Sequence, residues 1–251
     1  MTRRADREDA RDGIAYALWL PDRMGASGEA ERGAATRRLP PPWPGVVIVH
    51  GAGSRKENHA DFARLATASG WAALTFDLPG HGESDGEMSG DAVDDVIRMV
   101  HLLAAQQGAD ARRVAVRGSS LGGFLAILAA ARASEIAGVI AICPASPDHL
   151  SRGVRRGELE MRVSDPLTMQ AWLAAQDLGD AVERIAGRPL IVMHAEGDLQ
   201  IPFDHSEELF ERAGDPRKLV VVPGGTHRTV QHDPELQGMG LLWLERQLAA
   251  S

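Results

Sequence analysis

The sequence predicts an α/β fold, a mostly parallel sheet with helices on both faces, and three observations carry that prediction. Short apolar, β-branched runs alternate with longer segments of helical spacing, as repeated strand–helix units require. Several runs are apolar throughout, which suits strands covered on both faces. The length, 251 residues, suffices for one sizeable core, so a single domain over residues 1–251 is expected.

Strands are expected at residues 14–20, 46–49, 72–76, 113–116, 138–142, 190–193 and 219–222, where Val, Ile, Leu and Ala dominate. Helical spacing falls between them at residues 59–69, 91–107, 121–133, 204–212 and 234–248. Asp91 is expected to cap the second of these, and Asp204 to open the fourth. Two segments break the rhythm. Residues 22–45, DRMGASGEAERGAATRRLPPPWPG, lack apolar periodicity and read as a long flexible connection. Residues 144–188 are too long for an ordinary crossover. Their apolar spacing at Leu167, Ala171, Leu178, Val182 and Ile185 predicts a small helical cap or lid, with one extra packing helix as the plainer alternative.

Composition narrows the class of function. Hydrophobic residues make up 44% and charged residues 25%, the balance of a globular protein rather than a disordered one. A net charge of −8 opposes attraction to phosphates, so no nucleic-acid partner is expected. Cys143 is the single cysteine, which rules out an internal disulfide and points to a reducing compartment. The start, MTRRADREDARDG, has no apolar leader, and no later uncharged apolar run of about eighteen residues follows, so a cytoplasmic protein without a membrane partner is expected. Oligomeric state is not legible.

The chemistry centres on RVAVRGSSLGG, residues 113–123. Gly118-Ser119-Ser120-Leu121-Gly122 fits G-x-S-x-G with Ser120 at its centre; Ser119 is excluded because Arg117 and Leu121 are not glycines. The run ends a strand and opens an apolar helical pattern, the setting in which such a serine projects from a sharp turn, with helix N-cap as the bland alternative. A serine hydroxyl needs a base, and the base needs an orienting acid. Asp198 follows the strand at 190–193, and His227 follows the strand at 219–222, both in loops beyond carboxyl ends where open α/β sheets place their sites. Ser120, Asp198 and His227 are therefore the expected catalytic residues. Glu196, Asp204 and Asp148 rival Asp198, and His232 rivals His227 but reads better as a solvated cap residue.

Acyl transfer also needs donors for an oxyanion. The amide of Leu121 is one candidate, and the amide of Ala52 in His50-Gly51-Ala52-Gly53-Ser54 is the other. His50 is expected to anchor that loop, and neither His50 nor His194 is expected to do chemistry. No H-E-x-x-H or spaced Cys/His cluster points to a metal, and Gly51-Ala-Gly53 lacks the third glycine of a dinucleotide site, so no metal and no cofactor are expected. Residues 77–84, DLPGHGES, read as a structural loop bordering the site.

With these residues in place, the chain resembles the α/β-hydrolase superfamily, in particular small esterase-like members related to the serine aminopeptidase and dienelactone hydrolase branches. VVIVHGAGSRKEN, FDLPGHGESDG, VAVRGSSLGG, LIVMHAEGDLQIP and VVVPGGTH carry the resemblance across roughly residues 46 to 227. It implies Ser120 as nucleophile, Asp198 as acid, His227 as base, and Ala52 and Leu121 as oxyanion donors. The implied activity is hydrolysis of a small carboxylic ester through an acyl-enzyme. An amide, thioester or lactone substrate, or a non-catalytic small-ligand-binding protein, are the alternatives. The sequence departs from the family in three places. Ala52 stands where many relatives carry a bulkier residue, the strand usually found before Ile14 is not recognisable, so a sheet one strand short is expected, and the cap is compact.

Overall fold

In the computed structural model, which describes residues 3–21 and 41–250, eight strands form one sheet in the order β1-β2-β4-β3-β5-β6-β7-β8. They are β1 (Arg7–Arg11), β2 (Ile14–Trp19), β3 (Trp43–Val49), β4 (Ala72–Phe76), β5 (Ala109–Ser119), β6 (Val139–Ile142), β7 (Leu190–Ala195) and β8 (Arg217–Val222). From β4 across to β8 every neighbouring pair is parallel; β2 joins β1 and β4 antiparallel. The continuous apolar runs have their expected cause, since β3, β4, β6 and β7 are buried along their whole length.

The sheet is not one strand short. β1, REDAR, is exposed throughout, so it carries no apolar signature, and it is made by pairing rather than by burial. Asp12 and Gly13 turn the chain with φ of 51° and 81°, the positive pair that a two-residue hairpin demands. At the other end of the expected connection, Trp43, Pro44 and Gly45 belong to β3; residues 22–40 lie outside the described residues.

Helices α1 (Ala60–Ala68), α2 (Ala92–Ala104), α3 (Leu121–Arg132), α4 (Pro147–Arg156), α5 (Pro166–Ala174), α6 (Leu178–Arg184), α7 (Phe203–Arg212), α8 (Thr229–His232) and α9 (Pro234–Ala250) cover the sheet. Asp91 precedes α2 but does not cap it. Its backbone is already helical, at φ −68° and ψ −14°, whereas a capping side chain needs extended backbone. Asp204 lies inside the first turn of α7, where its charge suits the helix dipole, and Pro202 takes the position before the helix.

Between β6 and β7 the helical stretch expected over residues 167–185 is two helices, α5 and α6, and α4 precedes it. Ser146 and Pro147 open α4, the Ser146 hydroxyl accepting from His149 N–H, while Asp165 caps α5 and Asp177 caps α6. The cap at Asp177 interrupts the predicted stripe: Leu178, Val182 and Ile185 are buried, but Leu167 is 78% exposed. Trp172 of α5 stands edge-on to Phe124 of α3, ring centroids 5.8 Å apart, which seats these helices over the segment that follows Ser120.

Candidate functional site

The strand-to-helix turn at Ser120 is set by two glycines. A Cβ on Gly118 would stand 2.0 Å from the Gly122 carbonyl oxygen, and one on Gly122 would stand 2.2 Å from that of Val49. With both side chains absent, β5 passes directly into α3 and Ser120 takes φ 55° and ψ −119°, a conformation of a kind costing about 1–3 kcal/mol and held by its surroundings. The surroundings are visible: Ser120 N–H donates to Ile142 O at 2.9 Å, and Ser120 O accepts from Phe124 and Ala145 N–H. Ser119 is buried instead.

The loops after β7 and β8 are tied to each other by Glu196 N–H to Val222 O (3.0 Å) and Gly197 N–H to Gly224 O (3.1 Å). They bring residues 198 and 227 together: His227 Nδ1 lies 2.7 Å from Asp198 Oδ2. The other carboxylate oxygen accepts from Gln200 N–H (2.8 Å) and Ile201 N–H (3.0 Å). Burial alone would raise the Asp198 pKa, but hydrogen bonds from His194, His227 and Ile201 overcome it and hold the carboxyl well below the usual carboxylate range. Glu196 and Asp204 are exposed, and Asp148 faces a different hollow with His205 and Arg212.

His194 sits closer to this centre than the sequence indicates. Its Nε2 is 3.0 Å from Ile201 O and 3.3 Å from Asp198 Oδ2, and its Nδ1 is 2.6 Å from Ser206 Oγ. Since Ile201 O only accepts, Nε2 carries the proton and Nδ1 accepts from the Ser206 hydroxyl. His50 anchors its loop: Nδ1 donates to Gly51 O at 2.8 Å, and Leu78 N–H donates to Nε2 at 3.0 Å. Burial lowers its pKa to about 4, only partly offset by the bond to Gly51. His232 is exposed and ends α8; its Nδ1 also meets Asp61 Oδ2 at 3.0 Å, and its ring stacks on His59.

Ser120 and His227 open on the same cavity of about 590 Å³, whose lining includes Gly51, Ala52, Ser54, Asn58, His149, Leu150, Glu158, Glu160, Gln200, Arg228, Gln231 and His232. A hollow of about 1150 Å³ beside β1 and β2 is larger, but it holds none of the expected site residues. Ala52 lies in a tight turn closed by Ser54 N–H to Gly51 O (3.2 Å). Leu121 is the first residue of α3, where backbone N–H groups have no partner within the helix. His149 had no sequence signal beyond its place in the inserted segment. It is half-buried at the cavity wall, its pKa lowered by burial and then by the charges of Arg152 and His227.

Among the described residues, two groups of side chains are spaced as metal ligands could be. One is Cys143, Asp198 and His227, in which the latter two already bond each other. The other is Glu57, Asp77 and Glu83, and there the Lys56 ammonium is the cation, 2.7 Å from Glu57 and 3.1 Å from Asp77. Lys56 N–H and Glu83 N–H also donate to Asp77, so the DLPGHGES loop is pinned to the segment that follows the Gly51–Ser54 turn.

The serine aminopeptidase S33 family matches residues 40–184. The chain belongs to this family, within the α/β-hydrolase superfamily. Among relatives, the uncharacterized protein YfhR of Escherichia coli (strain K12) is 22% identical over 233 residues, covering 87% of this chain and 71% of its own. The fold of this S33-family chain is similar to that of the α/β hydrolase GrgF from Penicillium sp. sh18, with a TM-score of 0.76, 18% identity and coverage of 99% and 100% of the two chains. It is also similar to Est1E from Butyrivibrio proteoclasticus bound to ferulic acid, with a TM-score of 0.72, 21% identity and coverage of 97% and 99%. Among the described residues of this hydrolase, no helix is long and apolar enough to cross a membrane.

Proposed function

We propose that this hydrolase is a serine esterase that cleaves a small carboxylic ester through an acyl-enzyme. The observation that carries the reading is the 2.7 Å contact between His227 Nδ1 and the buried Asp198, with His227 lining the cavity that also contains Ser120. A proton on Nδ1 directed at the carboxylate leaves Nε2 with its lone pair, which is the tautomer a general base requires.

In the proposed cycle Ser120 Oγ attacks the ester carbonyl as its proton passes to His227 Nε2. The amides of Ala52 and Leu121 hold the oxyanion. The carbon–oxygen bond to the alcohol breaks, and His227 returns the proton to the leaving oxygen. Water then attacks the acyl-enzyme, giving its proton to His227, and Ser120 leaves as a hydroxyl. Asp198 stays ionised throughout, stabilising the imidazolium. No step calls for a cofactor.

Residues 144–188 serve in this reading as the cap, since α4 brings His149 and Leu150, and the chain after it Glu158 and Glu160, to the cavity wall. The lone, buried Cys143 fits a protein working in the reducing cytoplasm.

Turnover of p-nitrophenyl acetate and butyrate, with fluorophosphonate labelling read by mass spectrometry, tests the proposal. The expected result is a label on Ser120 and loss of both turnover and label in Ser120→Ala. Undiminished turnover by Ser120→Ala, or a label on another residue, refutes it.

A further inference from the structure

Arg117, three residues before Ser120, is fully buried, and among the described residues no carboxylate lies within ion-pair distance of it. Its guanidinium lies over the Phe62 ring, centroid distance 4.7 Å, and donates to two acceptors: Gln231 O at 2.7 Å and His59 Nδ1 at 3.1 Å. Because a guanidinium has no lone pair, the second bond has one possible direction. It requires Nδ1 of His59 to be the bare nitrogen. His59 is itself buried, and burial together with the Arg117 charge holds its pKa well below the ordinary histidine range, so the ring is neutral with its proton on Nε2.

That proton faces Ser54 Oγ, 3.3 Å away. Asn58 Nδ2, as the amide is oriented, donates to the same oxygen at 3.2 Å. Ser54 Oγ therefore accepts twice from protein groups. Its own proton is left with no acceptor among the described residues, while Ser54 lines the cavity that contains Ser120. The chain Arg117 to His59 to Ser54 runs in one direction and begins at a buried cation. Each bond polarises the next.

We propose that the Ser54 hydroxyl is a committed hydrogen-bond donor to the substrate, and that the acyl group of that substrate carries an acceptor oxygen rather than a plain alkyl chain. The acyl side follows from position. Ser54 closes the turn that contains Ala52, so a carbonyl oxygen held by the Ala52 amide sets the first acyl carbons along this wall. The wall continues through the polar side chains of Asn58, Gln231 and His232. An alkyl chain laid there would leave the Ser54 hydroxyl proton without a partner, whereas an ether, hydroxyl or keto oxygen would satisfy it.

The inference rests on the esterase reading, and the test separates the two. p-Nitrophenyl methoxyacetate and butyrate have the same length and differ by one oxygen in place of a methylene. Intrinsic reactivity cancels when the ratio of their kcat/KM values is compared between wild type and variant. In Ser54→Ala the ratio of methoxyacetate to butyrate is expected to fall about five- to tenfold, the worth of one hydrogen bond of about 1 kcal/mol or somewhat more. Ser54→Thr, which keeps the hydroxyl, restores the ratio. NMR titration of wild type and Ser54→Ala with methoxyacetate and butyrate anions gives the same comparison without turnover, and the same loss of preference is expected. A preference unchanged by Ser54→Ala in the titration or in the kinetics overturns the inference. A wild type that hydrolyses neither ester overturns the esterase reading, and the titration then still decides the role of Ser54.

Discussion

Arg117 reaches Gln231 O at 2.7 Å, joining the strand that leads into Ser120 to the short helix α8 that follows His227. Residues 114 positions apart are thereby held at one rim by a buried guanidinium whose pKa burial lowers to about 10. Arg117→Met removes the charge and with it a desolvation cost, but it strands His59 Nδ1, whereas Gln231 O keeps its bond from Gln237 Nε2 at 2.8 Å. A buried acceptor left unpaired costs about 1–3 kcal/mol, which outweighs the relief. The variant is expected to lose about 1–3 kcal/mol in urea unfolding. It is also expected to lose more esterase activity than stability explains at 25 °C, because the strut aligns both loops. Activity undiminished in the folded variant counts against the strut.

Asp198→Asn tests the acid. An amide in this position presents a donor to His227 Nδ1, forcing the proton to Nε2, where it blocks the attack of Ser120. A loss of about 10⁴-fold in kcat is the expected scale for such an exchange. The same carboxylate links stability to pH. Its folded pKa lies below its unfolded value of about 3.9, so its contribution is fully present above that value and is lost as pH falls toward and through the folded one. Acid unfolding followed by circular dichroism is expected to show the stability advantage of wild type over Asp198→Asn shrinking below about pH 4. An advantage that grows on acidification contradicts the sign.

Much of this was legible because periodicity reports burial. Strands such as β4 and β7 are apolar throughout for the same reason that they are buried throughout, and the loop carrying Asp198 follows such a run; Ser120 follows β5, buried from Val114 onward, and His227 follows β8, apolar at 219–222 but only partly buried. β1 escaped because an exposed edge strand has nothing to bury. Its cue was the Asp12-Gly13 pair, a turn signal rather than a strand signal. The helix α4 was announced by Ser146-Pro147, a cap followed by a first-turn proline, not by apolar spacing. Arg117 and Ser54 could not be read at all. The role of Arg117 arises from neighbours distant in the chain, His59 and Gln231, and reaches Ser54 only through His59; the only hint was an arginine inside the apolar run VAVRG.

Gly118 offers a purely steric test of the turn at Ser120. A Cβ there would meet the Gly122 carbonyl oxygen at 2.0 Å and its carbon at 2.3 Å, backbone atoms that no rotamer change can move away. Strand and helix have to separate, which displaces Ser120 and breaks the bond from Ser120 N–H to Ile142 O. Gly118→Ala is therefore expected to cost about 3 kcal/mol or more, at or beyond the upper end for overpacking, and to fall out of solution or melt far below wild type. By contrast, Gly157→Ala, at φ 63° with open space around it, is expected to cost only about 1 kcal/mol. Thermal melts of the two variants against wild type check the order; equal melting temperatures contradict it.

Cys143 makes a prediction about reactivity from burial. It follows β6 with φ 41°, is 1% exposed, and has its thiol pKa pushed up to about 12 by burial, which the hydrogen bond with Ala195 opposes and the neighbouring charge of Asp198 reinforces by a smaller amount. The thiolate is the reactive form, and at pH 7 to 8 a thiol with so high a pKa supplies almost none. Folded protein is therefore expected to be silent to Ellman's reagent at pH 8, while protein unfolded in guanidinium releases one equivalent, matching the single cysteine in the sequence. Raising the pH to 9.5 without unfolding is expected to leave the folded protein unreactive, since the site stays closed and the thiol stays protonated. A stoichiometric reaction at pH 8 under native conditions would show that the packing around Asp198 opens on the timescale of labelling, and that the acid is held less firmly than its four hydrogen bonds require.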